Sequence, residues 1–426
     1  MRNDFNASEE LALQMDANDP LAKFKHEFLF PRYNHKQVIY FCGNSLGLQP
    51  KKAAAAFETE LAAWQDLAIG GYFSGKNPWL YYHDYCKPVL SEIMGCNEGE
   101  VTVMNSLTVN LHLLMQTFYR PTTKRYKIIM EAGAFPSDQY AIETQVKQYR
   151  HYLNMFLEEE AIIEVYPREG EKILRTEDIL KTIRDHANEL ALVMFSGMNY
   201  YTGQLFDMHA IATAAHAAGA YCGFDLAHVA GNIPVRLHDW DVDFAVWCSY
   251  KYLNAGPGAT GGVFIHEKHA SNTSLSRLGG WWGNDEKYRF KMEKGFIPKP
   301  DVNGWCLSTS QVFNTVALKA SLEVFSAAGM HHIREKSVRL TGYLEFLLYQ
   351  LPNLDFEIIT PSDPEQRGAQ LSLYFKERGK EIHDKMISNG IIVDYREPGV
   401  IRVAPSPLYC SYEDVFRFYE ILRNNF

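Results

Sequence analysis

YCGFDLAH, residues 221–228, and FAVWCSYK, residues 244–251, decide the fold. Each opens on a short apolar run and closes on residues that a buried strand tolerates only with a partner. These are an aspartate and a histidine in the first, a lysine in the second. Runs nearly continuous in apolar residues mark parallel strands covered by helices on both faces. The same pattern recurs at 127–130 (KIIM), 190–195 (LALVMF) and 262–266 (GVFIH). Helical patterns fill the gaps at 109–119, 138–149 and 208–218, the last alanine-rich and stopped by Gly219. This alternation predicts an α/β domain with a mainly parallel sheet.

The character changes near Ser310. Residues 310–328 and 331–351 read as consecutive helices broken at Gly329, followed by strands near 370–374 and 401–404 and a last helix at 412–424. That is the pattern of a smaller α+β domain. A chain of 426 residues, 46% hydrophobic and 13% aromatic, is too long for one core and predicts this division. The expected boundaries are an N-terminal arm (1–55) joining the small domain, a large domain (56–309) and a small domain (310–426). Disorder is expected only in the first few residues.

Net charge is −9 and no Lys/Arg block stands out, which argues against a nucleic-acid partner. No basic start leads into an apolar run, and no stretch reaches the length of a membrane span. The seven cysteines are widely spaced and contain no C-x-x-C pair. They argue against a disulfide scaffold or zinc ribbon, predict no metal, and fit a cytoplasmic protein.

The unusual residues cluster just after predicted strands, the edge where open α/β sheets bind ligands. Lys251 is flanked by apolar and aromatic residues and followed by a glycine-rich loop. It reads either as a strand-end lysine that snorkels outward or as a desolvated amine able to form a Schiff base. Asp225 reads either as a helix cap or as the partner of a pyridinium nitrogen, with His228 placed to orient it. It precedes Lys251 by 26 residues. Asn105-Ser106-Leu107-Thr108 stands at a helix start, either a plain cap or a phosphate site. Phe135-Pro136-Ser137-Asp138 forms a second strand-to-helix junction. Phe135 is able to stack on an aromatic ring there, although proline then serine also make an ordinary helix start.

These strings together resemble the kynureninase family: FCGNSLG (41–47), NSLTVN (105–110), FPSD (135–138), GFDLAH (223–228), WCSYKYLN (247–254), GWWG (280–283) and RVAP (402–405). They run in order from about residue 40 to 415. The resemblance implies the aspartate-aminotransferase fold, pyridoxal 5'-phosphate as cofactor, and a homodimer with sites at the subunit interface. The implied reaction is hydrolysis of the Cβ–Cγ bond of L-kynurenine to anthranilate and alanine, in tryptophan breakdown.

It also implies roles. Lys251 holds the cofactor, Asp225 meets its ring nitrogen with His228 beside it, and Tyr250 relays protons or contacts the phosphate. Cofactor contacts further include Leu107 through its backbone, Thr108, Phe135, Pro136, Ser137, Asp138 and Ser196. Trp281 and Thr309 reach across from the partner. Arg402 grips the substrate α-carboxylate, a task suited to a planar two-pronged donor, unless it simply lies on the exposed face of an edge strand. Asn44, Ser45, Tyr72 and Asn284 complete the substrate set. Tyr72 and Thr309 stand where animal members carry histidine and asparagine, and Asn284 where the family often has histidine. Those positions face the substrate ring, and the reading favours L-kynurenine over its 3-hydroxy form.

Two alternatives remain at this stage. Another enzyme of the same fold, a cysteine desulfurase or an aminotransferase, would need a mobile nucleophilic cysteine or a keto-acid acceptor. A catalytically silent relative would have lost Lys251 or Asp225, and both are present.

Overall fold

Apolar continuity fixes the central strands. A computed structural model describes residues 5–153, 161–291, 293–351 and 354–425; the first four residues of the expected arm lie outside it. The strands used below are β1 (Ile39–Tyr40), β2 (Val101–Val103), β3 (Lys127–Glu131), β4 (Ile162–Val165), β5 (Leu190–Ser196), β6 (Tyr221–Asp225), β7 (Phe244–Cys248) and β8 (Gly261–Ile265). Beyond them come β9 (Glu357–Ile358), β10 (Leu371–Tyr374), β11 (Ile391–Ile392), β12 (Asp394–Arg396) and β13 (Val400–Val403). Among the helices, those named below are α1 (Lys52–Leu67), α2 (Leu107–Phe118), α3 (Pro136–Leu153), α4 (Met208–Ala217), α5 (Val312–Ala328), α6 (Met330–Leu348) and α7 (Tyr412–Asn425).

Seven strands form the central sheet in the order β2-β8-β7-β6-β5-β3-β4. Every residue of β3, β7 and β8 is buried, as the unbroken apolar runs require. The block from β7 to β4 is parallel throughout. β8, expected to be parallel from its apolar run, is instead antiparallel to both β7 and β2. The cause is its connection: residues 249–260 contain no helix, and a strand without a long crossover returns antiparallel. Two strands of this sheet, β2 and β4, escaped the sequence reading because they are short edge segments without a clear apolar run.

Helix boundaries follow their caps. The Asp207 side chain accepts from the Ala210 N–H at 2.9 Å to start α4, and Gly219, with φ of +73°, turns the chain after it. Gly329, at φ +76°, separates α5 from α6 where the sequence reading put the break.

The small α+β domain is built on an antiparallel sheet, β9-β10-β13-β12. β13 is interior, so Arg402 is not on an exposed edge; it is 1% accessible. The N-terminal segment contacts this region. β1 pairs in parallel with β11, and the Asp16 carboxylate accepts the Tyr412 and Glu413 N–H groups at 2.8 and 2.9 Å, capping α7.

Candidate active site

The C-terminal ends of β3, β5, β6 and β7 converge on one cavity. β6 delivers Asp225, and the turn after it delivers His228. β7 runs into Tyr250 and Lys251, β5 ends on Ser196, and the β3–α3 junction supplies Phe135, Ser137 and Asp138. Lys251 and Asp225 therefore share one cavity, as the sequence reading requires. Pro136 starts α3 without lining the cavity.

The start of α2 faces the same space. Ser106 is its cap residue and makes no side-chain capping hydrogen bond, so the first-turn N–H groups near Leu107 and Thr108 remain available to an anion. β8 passes directly beneath. A Cβ at Gly261 would stand 2.9 Å from the Leu107 nitrogen, so only glycine lets strand and helix start approach.

Three buried carboxyl groups and one amine set the electrostatics. Burial raises the Asp138 carboxyl well above the usual carboxylate range, and the neighbouring Asp225 raises it further. Burial also raises Asp225, while Lys251 and the Ala227 N–H, which donates to its Oδ1 at 2.7 Å, pull it down. Of the pair, Asp138 is pushed the higher. Glu131, the last residue of β3, was not singled out from sequence. Burial pushes its carboxyl up to about 7 against the hydrogen bonds from Ser196, whose hydroxyl and N–H both donate to it. A signal existed: KIIME ends on an acid after a buried strand, just as YCGFD does.

His228 was expected to orient Asp225. Its Nε2 instead lies 3.1 Å from the Lys251 Nζ, and its Nδ1 has no partner. Burial, with Lys251 adding to it, holds the His228 imidazole well below its ordinary range. It is neutral and able to accept from the lysine. Phe135 meets Tyr200 edge-on, with centroids 5.2 Å apart, and the Lys251 Nζ lies 5.8 Å from the Phe135 ring centre. Burial, with Cys248 beside it, raises the Tyr250 phenol, which stays protonated at neutral pH.

Behind Tyr200 stands Arg402. It donates to the Tyr200 carbonyl at 2.9 Å, to the Ser45 hydroxyl at 3.0 Å and to Asp394. Asn44 is fully buried and donates to Gln370 Oε1 at 2.8 Å.

Arg402, Asn44 and Ser45 do not line this cavity, and four further expected residues lie elsewhere in the chain. Tyr72 packs edge-on against Trp79. Trp281 is 47% exposed beside Trp282 and Phe290. Asn284 accepts the Ile297 N–H at 2.8 Å. Thr309 lines a different cavity, with His83 and Trp282.

The cavity fits a phosphorylated pyridine aldehyde. It offers an amine, a buried carboxylate lining the same space, an uncapped helix start, and two buried polar atoms without partners, His228 Nδ1 and Asp138 Oδ1. Fold and site together define a fold-type I pyridoxal-phosphate enzyme. Solved structures agree on the fold. A cysteine desulfurase from Thermococcus onnurineus NA1 superposes with a TM-score of 0.72 at 17% identity, covering 91% of this chain and 94% of its own. The cystine C-S lyase C-DES, in complex with cysteine persulfide, superposes with 0.74 at 16% identity, covering 91% and 97%.

Sequence comparison narrows the class. The kynureninase C-terminal domain model matches residues 333–422. The kynureninase of Myxococcus xanthus is 51% identical over 422 residues, spanning 99% of this chain and 98% of its own length. That of Nematostella vectensis is 46% identical, spanning 98% and 94%. The chain belongs to the kynureninase family.

Proposed function

We infer that the protein is a pyridoxal-phosphate-dependent hydrolase that cleaves the Cβ–Cγ bond of L-kynurenine, yielding anthranilate and L-alanine. The observation that carries this reading is the shared cavity of Lys251 and Asp225 in a chain of this family. When bound, the cofactor supplies an electron sink for carbanionic chemistry at the substrate's α-carbon.

The residues divide the remaining work. The α2 start, through the Leu107 backbone and Thr108, holds the phosphate, with Ser137 and Pro136 shaping the adjoining turn. Asp225 places a carboxylate at the ring nitrogen, Phe135 covers the ring, and Asp138 and Ser196 border it. Lys251 would anchor the cofactor and its freed amine would take the α-proton, with neutral His228, 3.1 Å away, steadying that amine. The protonated Tyr250 phenol donates at the β-carbon. Arg402 binds the α-carboxylate, with Asn44 and Ser45 fixing the strand segment that faces it.

The same reading takes the protein as a cytoplasmic homodimer, with boundaries near 55 and 309 separating arm, large domain and small domain. Trp281 and Thr309 complete the partner's cofactor site, and Tyr72 and Asn284 face the substrate ring, favouring L-kynurenine over its 3-hydroxy form. Support comes from apolar side chains open to solvent in one chain, Ile69 at 77%, Phe73 at 71% and Trp281. Among the described residues no helix is long and apolar enough to cross a membrane.

A desulfurase reading is disfavoured by its nucleophile. Cys306 and Cys410, the late-chain candidates, are buried, and burial pushes both thiols up, Cys306 to about 12. The test is direct. Cofactor-loaded protein with L-kynurenine releases anthranilate and alanine in equal amounts. Sulfide from cysteine, or amino-group transfer to a keto acid, without anthranilate would reverse the assignment.

A further inference from the structure

We propose that Asp394 is a positioning residue for α-carboxylate recognition: together with Ser45 it holds the Arg402 guanidinium in the orientation that the substrate meets. The inference rests on the role given to Arg402 above.

β12 and β13 are antiparallel neighbours, and Asp394 stands directly opposite Arg402 in their register. The side chains are 11% and 1% exposed. A guanidinium taken so far from water requires a charged partner. Its Nη2 donates to Asp394 Oδ2 and, at 3.0 Å, to Ser45 Oγ, while Nη1 donates to the Tyr200 carbonyl at 2.9 Å. The Ser45 hydroxyl also donates to Asp394 Oδ2, closing a triangle of three side chains. The guanidinium is thus held at both terminal nitrogens.

One nitrogen is left without any partner. Arg402 Nε is buried without a partner. A carboxylate oxygen would satisfy it, and a buried donor without an acceptor is costly enough to favour that contact. Tyr200, whose ring centre lies 5.9 Å from the guanidinium, also lines the Lys251 cavity and connects the two places.

Charge balance points the same way. Burial alone would raise the Asp394 carboxyl, but Arg402, Ser45 and Arg396 outweigh it and keep it below the usual carboxylate range. Arg396 lies two residues along the same face of β12, with its Nη2 3.1 Å from Asp394 Oδ2. Two guanidinium groups and one carboxylate leave a net single positive charge, the complement of one α-carboxylate.

Steady-state kinetics on the holoenzyme with L-kynurenine test this, with the visible absorbance of the bound cofactor as the control for folding and loading. Asp394→Asn is expected to raise KM by about tenfold or more with kcat nearly unchanged, and Asp394→Glu to recover most of the loss. Ser45→Ala is expected to raise KM more modestly, and keeps the test available if Asp394→Asn does not fold. Arg402→Gln separates the two levels. If it raises KM while Asp394→Asn and Ser45→Ala leave KM unchanged or lower, the positioning role is wrong. If Arg402→Gln itself leaves KM unchanged, the reading of Arg402 falls and this inference falls with it.

Discussion

At the scale of single residues, the site is an arrangement of charge around a partly buried amine. Lys251 has a neutral imidazole 3.1 Å away and two carboxyl groups within its cavity. Replacing Lys251 with alanine removes both the covalent anchor and the α-proton acceptor. Turnover is expected to fall by at least about 10³-fold, and the absorbance of the lysine-bound cofactor to vanish; persistence of that absorbance would contradict the assignment. Glu131 makes a separate prediction. Its folded-state pKa, about 7, lies above its ordinary value of 4.5. Its contribution to stability is therefore full below about 4.5 and is lost as pH rises through about 7. Thermal melts of the cofactor-free protein across that window are expected to slope downward with pH, and Glu131→Gln to flatten the slope. An unchanged slope would show that Glu131 does not titrate there.

At the scale of elements, the approach of β8 to the start of α2 is the close contact that bears on the site. Gly261→Ala would push a methyl group to 2.9 Å from the Leu107 nitrogen and 3.0 Å from the Asn110 side chain. The expected cost is about 1–3 kcal/mol, together with weaker cofactor binding, because the phosphate-facing N–H groups move. Calorimetry and cofactor titration check the two effects separately. Much of this site was legible in the sequence. Asp225 and Lys251 stood out because a charged group after a buried strand must have a partner, and the α2 start because a cap string precedes it. The orientation of β8 was not legible, since an apolar run carries no direction. Nor was Asp394: its strand is three residues long, and its partner, Arg402, comes from a neighbouring strand. The contact of His228 with Lys251 in place of Asp225 likewise depends on how two turns meet.

At the scale of the whole molecule, one edge of the central sheet carries chemistry and the opposite edge carries stability. Asp243, just before β7, accepts from the Cys222 N–H at 2.7 Å and pairs with His216 at 2.8 Å and His269 at 2.6 Å. Burial alone would raise its carboxyl, but both histidines and Lys268 outweigh burial and hold it below its ordinary 3.8. This contribution is full above about 3.8 and is lost as pH falls through and below that value. Melting temperature is expected to drop in that acid range, with Asp243→Asn already destabilised at neutral pH and less sensitive to acid.

Trp281 and Thr309 mark what one chain leaves open, because their proposed roles belong to an assembly and no residue pattern within one chain encodes that distance. The central claim, that the amine at 251 carries the cofactor opposite the carboxylate at 225, has one direct measurement. Borohydride reduction of the loaded protein, followed by peptide mapping, is predicted to find a single pyridoxyl adduct on Lys251 in the native protein. Asp225→Asn is predicted to keep that adduct while losing at least about 10²-fold in turnover. An adduct on any other lysine, or full activity in Asp225→Asn, would contradict the account.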